Sequence, residues 1–321
     1  MKKMLSLFIL LLLVSCDKST NEEFAHNVQC GNNEIVYQTK YGYPIEVESE
    51  DWDDAFGCHL VDNTYSNGYG KLIFDDDVII IPIDAFRNVT TLTHVKLPGC
   101  VDAIGNNAFR GCIELKSIVI PNGVTSIDYG AFYDCMSLAR VVIPDSVTSI
   151  GRYIFKGCIS LTSVSLSKNL TSINGEMFGG CTSLKKIVIS DLSAWCKMDF
   201  NSSNPLSNDM VTLYLNDKAL TKLTIPSDVH YISNYAFYGY SALTSVTINS
   251  NVTAIGNYAF SNCSNLKSVY CKPVTPPSIG TYVFGGSYEY IRTIFVPRES
   301  LQLYQSKWNY YAAEIEAYDF K

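Results

Sequence analysis

Eleven cysteines and four histidines are the side chains of this 321-residue chain best suited to nucleophilic, redox or metal chemistry. Thiolates attack carbonyls and bind metals, and paired thiols oxidise to disulfides. The spacing points elsewhere. Cys112, Cys135, Cys158 and Cys181 lie 23 residues apart, and Cys263 keeps the same place relative to its neighbours. Val89 and Tyr240 occupy that position in other units, so it reads as a buried slot that accepts apolar side chains of varied size. Side chains in such a ladder point in parallel rather than towards one another, and free, buried thiols are expected. Cys30, Cys58, Cys100, Cys196 and Cys271 lie outside the slot and leave room for one bridge. No pair has Cys-x-x-Cys spacing, and no metal site is expected. His26, His59, His94 and His230 are scattered, and the chain has no Gly-x-Ser-x-Gly, phosphate loop or His-Glu-x-x-His. Asp75 to Asp77, and Asp51, Asp53 and Asp54 around Trp52, have calcium-ligand chemistry but read as solvated turns. The chain therefore reads as non-enzymatic, with no catalytic residue and no cofactor.

The thiol slot belongs to a longer pattern. Phe86, Phe109, Phe132, Phe155 and Phe178 are 23 residues apart, Phe237 and Phe260 repeat the interval, and Phe284 follows one residue late. Leu comes six residues after the Phe (Leu92, Leu115, Leu138, Leu161, Leu184, Leu243, Leu266), Val or Ile nine after, and Pro commonly twelve after, as in Pro98, Pro121 and Pro144. A fixed period of this kind marks a solenoid, in which each unit buries its apolar side chains against its neighbours. In the unit starting at Phe109, Leu115 to Ile120 reads as a strand and Pro121-Asn122-Gly123 stops it. Val124 to Ile127 is a second short extended piece, and Asp128-Tyr129-Gly130 turns the chain back. The expected architecture is a parallel-β solenoid of 23-residue coils joined by short turns or 3-10 segments, with the eight phenylalanines forming the repeat core.

Repeats are expected over 70–190 and 218–284. The 34–69 stretch reads as an N-terminal cap, with residues 34–37 and 45–47 forming a hairpin around Tyr41-Gly42-Tyr43. The spacing from Phe178 to Phe237 is 59, which marks 191–217 as an insertion: a short helix over 191–196, a polar run, and a strand over 211–215 turning at Asn216-Asp217. It is expected to bulge from one edge of the solenoid. Residues 285–321 read as a C-terminal cap, with a last strand at 294–297 followed by a helix carrying Leu301, Tyr304 and Trp308 on one face.

The N-terminus has Lys2 and Lys3, an apolar run over 5–14, and then Leu13-Val14-Ser15-Cys16. The run is shorter than the roughly 20 residues of a membrane span and suits an export signal. Ending in Leu-Val-Ser-Cys, residues 1–15 resemble a bacterial lipoprotein signal peptide. That resemblance implies cleavage before Cys16, a diacylglycerol thioether on Cys16 and acylation of its new amino group. Residues 16–33 then form a lipidated tether, and the membrane is a partner through this anchor. The other reading is an ordinary cleaved signal. A net charge of −7 with no basic run argues against nucleic acid and against electrostatic docking on anionic lipid.

The unit Ala-Phe-x-x-Cys-x-x-Leu-x-x-Val-x-Ile-Pro-x-x-Val-x-x-Ile-Gly stands nearly complete over 127–151, carried by Ala131, Phe132, Cys135, Leu138, Val141, Ile143, Pro144, Val147, Ile150 and Gly151. These residues, the Asp191-Leu-Ser-Ala-Trp-Cys196 run and the Val-Pro…Tyr…Trp close are similar to BspA-like leucine-rich repeat proteins, a family of bacterial surface lipoproteins. The resemblance covers roughly 70–318. It implies a right-handed leucine-rich repeat solenoid with terminal caps, exported and lipid-anchored to the cell envelope, at the outer membrane facing the cell surface. It also implies adhesion to host matrix, host cells or other bacteria. Ser167, Ser190 and Asn249 stand where Pro is expected, and are read as local changes of geometry.

Parallel coils align the residues eight and ten after each Phe on one solvent-facing sheet: His94/Lys96, Ser117/Val119, Arg140/Val142, Ser163/Ser165, Lys186/Val188, Ser245/Thr247 and Ser268/Tyr270. These positions hold no carboxylate. His94, Lys96, Arg140, Lys186 and Tyr270 are the candidate ligand-binding residues, and the expected ligand is an extracellular protein, acidic or sulfated. A sheet face chosen only for β propensity is the plain alternative. A glycan ligand is the other functional reading, and joint exposure of Trp195 and Phe200 on the insertion would favour it.

Overall fold

A computed structural model describes residues 30–46, 55–173, 176–200, 204–207, 210–285 and 293–320. Most coils give one longer strand and, past a turn, one strand of two residues, and like strands of successive coils pair in parallel. Val164 lies between Val141 and Ile187, flanked by Ser163 between Arg140 and Lys186. Ile127 lies between Ile104 and Ile150 in the shorter ladder. Alternation along each strand buries Val141, Val164 and Ile187 while Arg140 and Val142 stay exposed, as period-2 geometry requires.

The turns are stacked as firmly as the strands. The amides of Phe86, Phe109 and Phe132 donate to the carbonyls of Ala108, Ala131 and Ile154 in the following coil at 2.7, 2.8 and 3.0 Å. Within the turn, Cys112 N–H reaches back three residues to the Phe109 carbonyl at 3.2 Å, a tight 3-10 type closure. These bonds set the coil spacing and bring the rings into a column. Phe86, Phe109, Phe132, Phe155 and Phe178 stack at 5.0 to 5.8 Å, and Phe237, Phe260 and Phe284 form a second column at 5.2 and 5.7 Å. Seven of the eight rings are fully buried. Phe178, the last ring of the first column, is only partly so. Two residues past the Phe, Gly157 is left-handed at φ +79°, and a Cβ there would lie 2.0 Å from Asp134 Oδ1 of the coil before it. The torsion favours glycine, and Asn88, Asp134 and Asn262 take the same left-handed place in other coils.

The thiol slot is more specific than an apolar filler. Cys112, Cys135, Cys158, Cys181 and Cys263 donate S–H to the carbonyls of Phe86, Phe109, Phe132, Phe155 and Phe237 at 3.0 to 3.2 Å, each bond reaching the coil before. Val89 has no preceding coil of this kind. Tyr240 follows the irregular segment, and its hydroxyl meets the backbone of Leu213 instead. Two of the missing prolines are also replaced by bonds between coils. Ser167 Oγ donates to the Val147 carbonyl at 2.7 Å, and Asn249 Nδ2 donates to the carbonyls of Ile225 and Pro226.

Three expectations are corrected. The strand Glu34–Thr39 does form, but Ile45 and Glu46 are in no strand and Val47 lies outside the described residues. Glu34–Thr39 pairs antiparallel with Tyr69–Phe74 and Leu92–Lys96, so it joins the first repeat strand directly. The hairpin is instead Leu60–Ser66 with Tyr69–Phe74, turned at Asn67 and Gly68, both left-handed. The 191–217 segment does not bulge from an edge. Its helix Leu192–Lys197 is capped by Asp191, whose carboxylate accepts from the Ser193 and Ala194 amides. Asp199 bridges in parallel to Ser172, and the Cys196 carbonyl accepts from Ser233 N–H. Thr212–Leu215 then adds in register to Lys186–Ile189, so the segment is an irregular coil within the stack. Lastly, Thr293–Pro297 is not the final strand: Ile315–Tyr318 pairs beside it in parallel. The expected helix Leu301–Lys307 lies between them and buries Tyr304 and Trp308, with Trp308 Nε1 donating to the Pro277 carbonyl at 2.9 Å.

Candidate binding face

Outward-facing residues of the longer strands form a surface along the solenoid axis. Arg140, Ser163, Lys186 and Thr212 follow one another in register, as do Val142, Ser165, Val188 and Tyr214. Farther along, Lys222, Ser245, Ser268 and Thr293 make one row, and Thr224, Thr247, Tyr270 and Phe295 the other. In-register pairing converts a 23-residue sequence period into two straight lines of side chains.

Of the expected binding residues, the face presents Arg140, Lys186 and Tyr270, with Lys96 half-buried near its N-terminal end. His94 is a correction. Only 7% of it is exposed, because the Glu34–Thr39 strand lies alongside with Gln38 opposite it. Burial, helped by the nearby Lys116 charge, pushes its imidazole pKa down to about 4. A buried neutral ring is no ligand for an anion. Cys16 lies outside the described residues, as do Asp51, Asp53 and Asp54. Asp75, Asp76 and Asp77 are exposed, with Asp75 accepting from His59 N–H at 2.7 Å. Among the described residues no group of three or more His, Cys, Asp or Glu is placed to hold a metal ion. Trp195 and Phe200 are both fully buried, their rings 4.9 Å apart, so they offer no platform for a sugar.

Charge is divided unevenly over the described residues: off the face, Arg110, Arg152 and Lys307 have no carboxylate within 4.0 Å, but most of the other bases there are paired. Lys40, Arg87, Lys156, Lys168, Lys197 and Arg298, away from the face, each have a carboxylate oxygen within 3.4 Å, and so does Lys71, which lies in register with Lys96 at the N-terminal end of the sheet. Hydrogen bonds from Ser193 and Lys197 hold Asp228 below the usual carboxylate range. On the face and its borders, Lys116, Arg140, Lys185, Lys186, Lys218, Lys222, Lys267 and Lys272 have no carboxylate within 4.0 Å among the described residues. Lys186 Nζ lies 4.4 Å over the Tyr214 ring, an attraction that leaves its charge unneutralised. A protein of net charge −7 thus carries most of its unpaired cations, among the described residues, along one side.

The sequence reading missed part of this surface. Lys116, Lys185 and Lys267 each stand seven residues past a Phe and were legible by counting one place earlier. Tyr214, Lys222 and Phe295 fall outside the Phe-anchored count. They join the face only through strand pairing, where Tyr270 and Phe295 stack at 5.0 Å and Tyr318 closes on both at 5.6 and 5.4 Å.

Coils with one buried Leu, one Phe column and paired parallel strands define a leucine-rich repeat protein. Residues 79–207 and 212–317 match the model of the BspA type leucine-rich repeat region, in six copies. The chain belongs to that family. Among solved structures it is similar to the leucine-rich repeat protein TpLRR of T. pallidum, at 25% identity over 60% of this chain and 73% of that one, with a TM-score of 0.38. It is also similar to a leucine-rich cell surface protein of Faecalibacterium prausnitzii, at 25% identity over 76% and 78%, with a TM-score of 0.37. A leucine-rich repeat protein of Bacteroides ovatus matches at 20% identity over 80% and 90%, with a TM-score of 0.30. No curated protein matches the chain.

Proposed function

We propose that this protein is a non-enzymatic, lipid-anchored surface module that attaches to acidic partners outside the cell through its sheet face. The unpaired cations carry this reading. Each exposed ion pair contributes little in water, so the paired bases elsewhere serve solubility and local geometry. An array of cations without internal partners is free to pair with an external one, and it adds many weak contacts across coils without needing a pocket. Anchoring through Cys16, with residues 16–33 as a tether, would hold the face away from an outer membrane. A right-handed, capped solenoid would present it as one continuous surface. The glycan alternative loses the support it required, since Trp195 and Phe200 are buried.

The test is attachment of cells displaying the protein to acidic matrix proteins. Arg140→Glu combined with Lys186→Glu should reduce attachment by about tenfold or more and leave the folded β signal intact, and wild-type attachment should weaken with added salt. Attachment unchanged by charge reversal would remove the sheet face as the site. Display is tested separately: Cys16→Ala should release the protein from membranes and abolish labelling by a palmitate analogue. Protease applied to whole cells should shave the wild type.

A further inference from the structure

The chemistry of the partner can be narrowed from how charge and carbon are arranged on the face, and this narrowing rests on the reading of that face as the binding site. The first row holds Arg140 and Lys186 with Ser163 between them, bordered by Lys116 and Lys185. The second holds Val142, Val188 and Tyr214 with Ser165 between the valines, and Val119 lies on the adjoining strand, whose Lys116 carbonyl accepts from Ala139 N–H. Val142 is 62% exposed and Val119 39%. Alternate residues of a strand set the rows about 7 Å apart, and coils recur about every 4.8 Å along them. Arg140 and Lys186, two coils apart, are thus separated by about 10 Å.

A surface tuned only for solubility has no reason to keep aliphatic and aromatic carbon in one line and unneutralised cations in the next. A sulfated polysaccharide would use the cations, but the valine row would give its charged groups nothing. A polypeptide carries both kinds of side chain at fixed spacing, and an amphipathic one sorts them into adjacent stripes. We propose that the occupant is an acidic amphipathic polypeptide segment lying along the solenoid axis. Its carboxylates face Lys116, Arg140, Lys185 and Lys186, and its apolar side chains cover Val119, Val142, Val188 and Tyr214. The two rows then contribute separable terms, one screened by salt and one resting on apolar area that salt leaves in place.

The experiment uses the full-length protein in detergent, with protein-free detergent as the blank, and three fluorescent probes. These are a helical peptide of Glu, Ala and Leu with all Leu on one face, poly-glutamate of equal length, and heparin. The amphipathic peptide should bind about tenfold more tightly than poly-glutamate, a difference of about 1.4 kcal/mol. Val142→Ser should remove most of that advantage without changing poly-glutamate binding. Arg140→Glu with Lys186→Glu should weaken both peptides. If heparin binds as tightly as the amphipathic peptide and Val142→Ser is neutral, or if the amphipathic peptide does not bind, this proposal is overturned while the binding face survives. If charge reversal changes no probe, the face itself is wrong.

Discussion

The repeat builds two lengthwise arrays that treat polar groups in opposite ways. On the turn side most polar groups are answered from within, although Asn107 Oδ1 has no hydrogen-bond partner and Arg110 and Arg152 no carboxylate among the described residues. Each slot thiol donates to a Phe carbonyl one coil back, the rings cover one another, and bases such as Lys156 and Lys168 sit on Glu176 and Asp145. On the sheet side the bases at Arg140, Lys185 and Lys186 have no such answer among the described residues. If the sheet face is the binding site proposed above, the difference separates stability from attachment. Changes on the turn side should alter stability and leave binding alone, and changes on the sheet side should do the reverse.

The largest expected effect is on the ring column. Phe132 is fully buried between Phe109 and Phe155, at 5.5 and 5.7 Å. Phe132→Ala should cost about 3–5 kcal/mol, read as a fall in the urea midpoint. Phe178→Ala should cost clearly less, because that ring is already partly exposed. Equal losses at both positions would mean that the column does not act as a stacked core.

His94 departs from the sheet-side pattern, a face position turned into core by the Glu34–Thr39 strand. Its pKa falls from 6.5 to about 4 on folding. The unfolded chain therefore binds the proton more readily between these values. The contribution is fully present above pH 6.5 and is lost as pH falls towards 4, amounting to about 3 kcal/mol at most. Stability measured by urea titration should drop across that window, and His94→Gln should flatten this part of the profile. An unchanged profile in the variant would place the titrating group elsewhere.

How much of this was legible turned on sequence distance. The coil, the columns and the 192–197 helix follow from local spacing and capping, so residues within one period of each other reveal them. His94 was misread because the strand that covers it lies more than fifty residues away, outside any repeat. Tyr214 and Phe295 were missed for the same reason, since only pairing with Val188 and Tyr270 brings them to the face. The thiol slot was located correctly but taken as apolar. Its hydrogen bond runs to a carbonyl 26 residues back, a partner that side-chain periodicity does not display.

That bond gives a smaller prediction. Cys135 Sγ donates to the Phe109 carbonyl at 3.1 Å, and burial raises the Cys112, Cys135, Cys158 and Cys181 thiols above the usual thiol range. Cys135→Val keeps the apolar bulk and removes the donor, so it should cost about 1 kcal/mol, since the carbonyl keeps its bond from Cys112 N–H. Native-state alkylation should spare Cys112, Cys135, Cys158 and Cys181 and tag all four after denaturation without reductant. A disulfide-linked peptide containing any of them would refute the ladder.

The smallest expected effect is the sharpest control on the contrast between the arrays. Lys168 and Arg140 are both bases at the surface, in neighbouring coils, but Lys168 Nζ already lies 3.1 Å from Asp145 Oδ2. Both partners are about half exposed, so the pair is solvent-screened, and Lys168→Ala should change stability by less than about 1 kcal/mol. It should also leave attachment to an acidic partner unchanged, because its charge was spent internally and it stands off the face. Arg140→Ala removes the same single charge from the chain, so any effect of net charge on long-range attraction is shared by the two variants. A loss of attachment in Arg140→Ala alone would therefore report position on the sheet. Equal losses in both would mean that the protein's overall field governs attachment, and the division between the two sides would then have no bearing on binding.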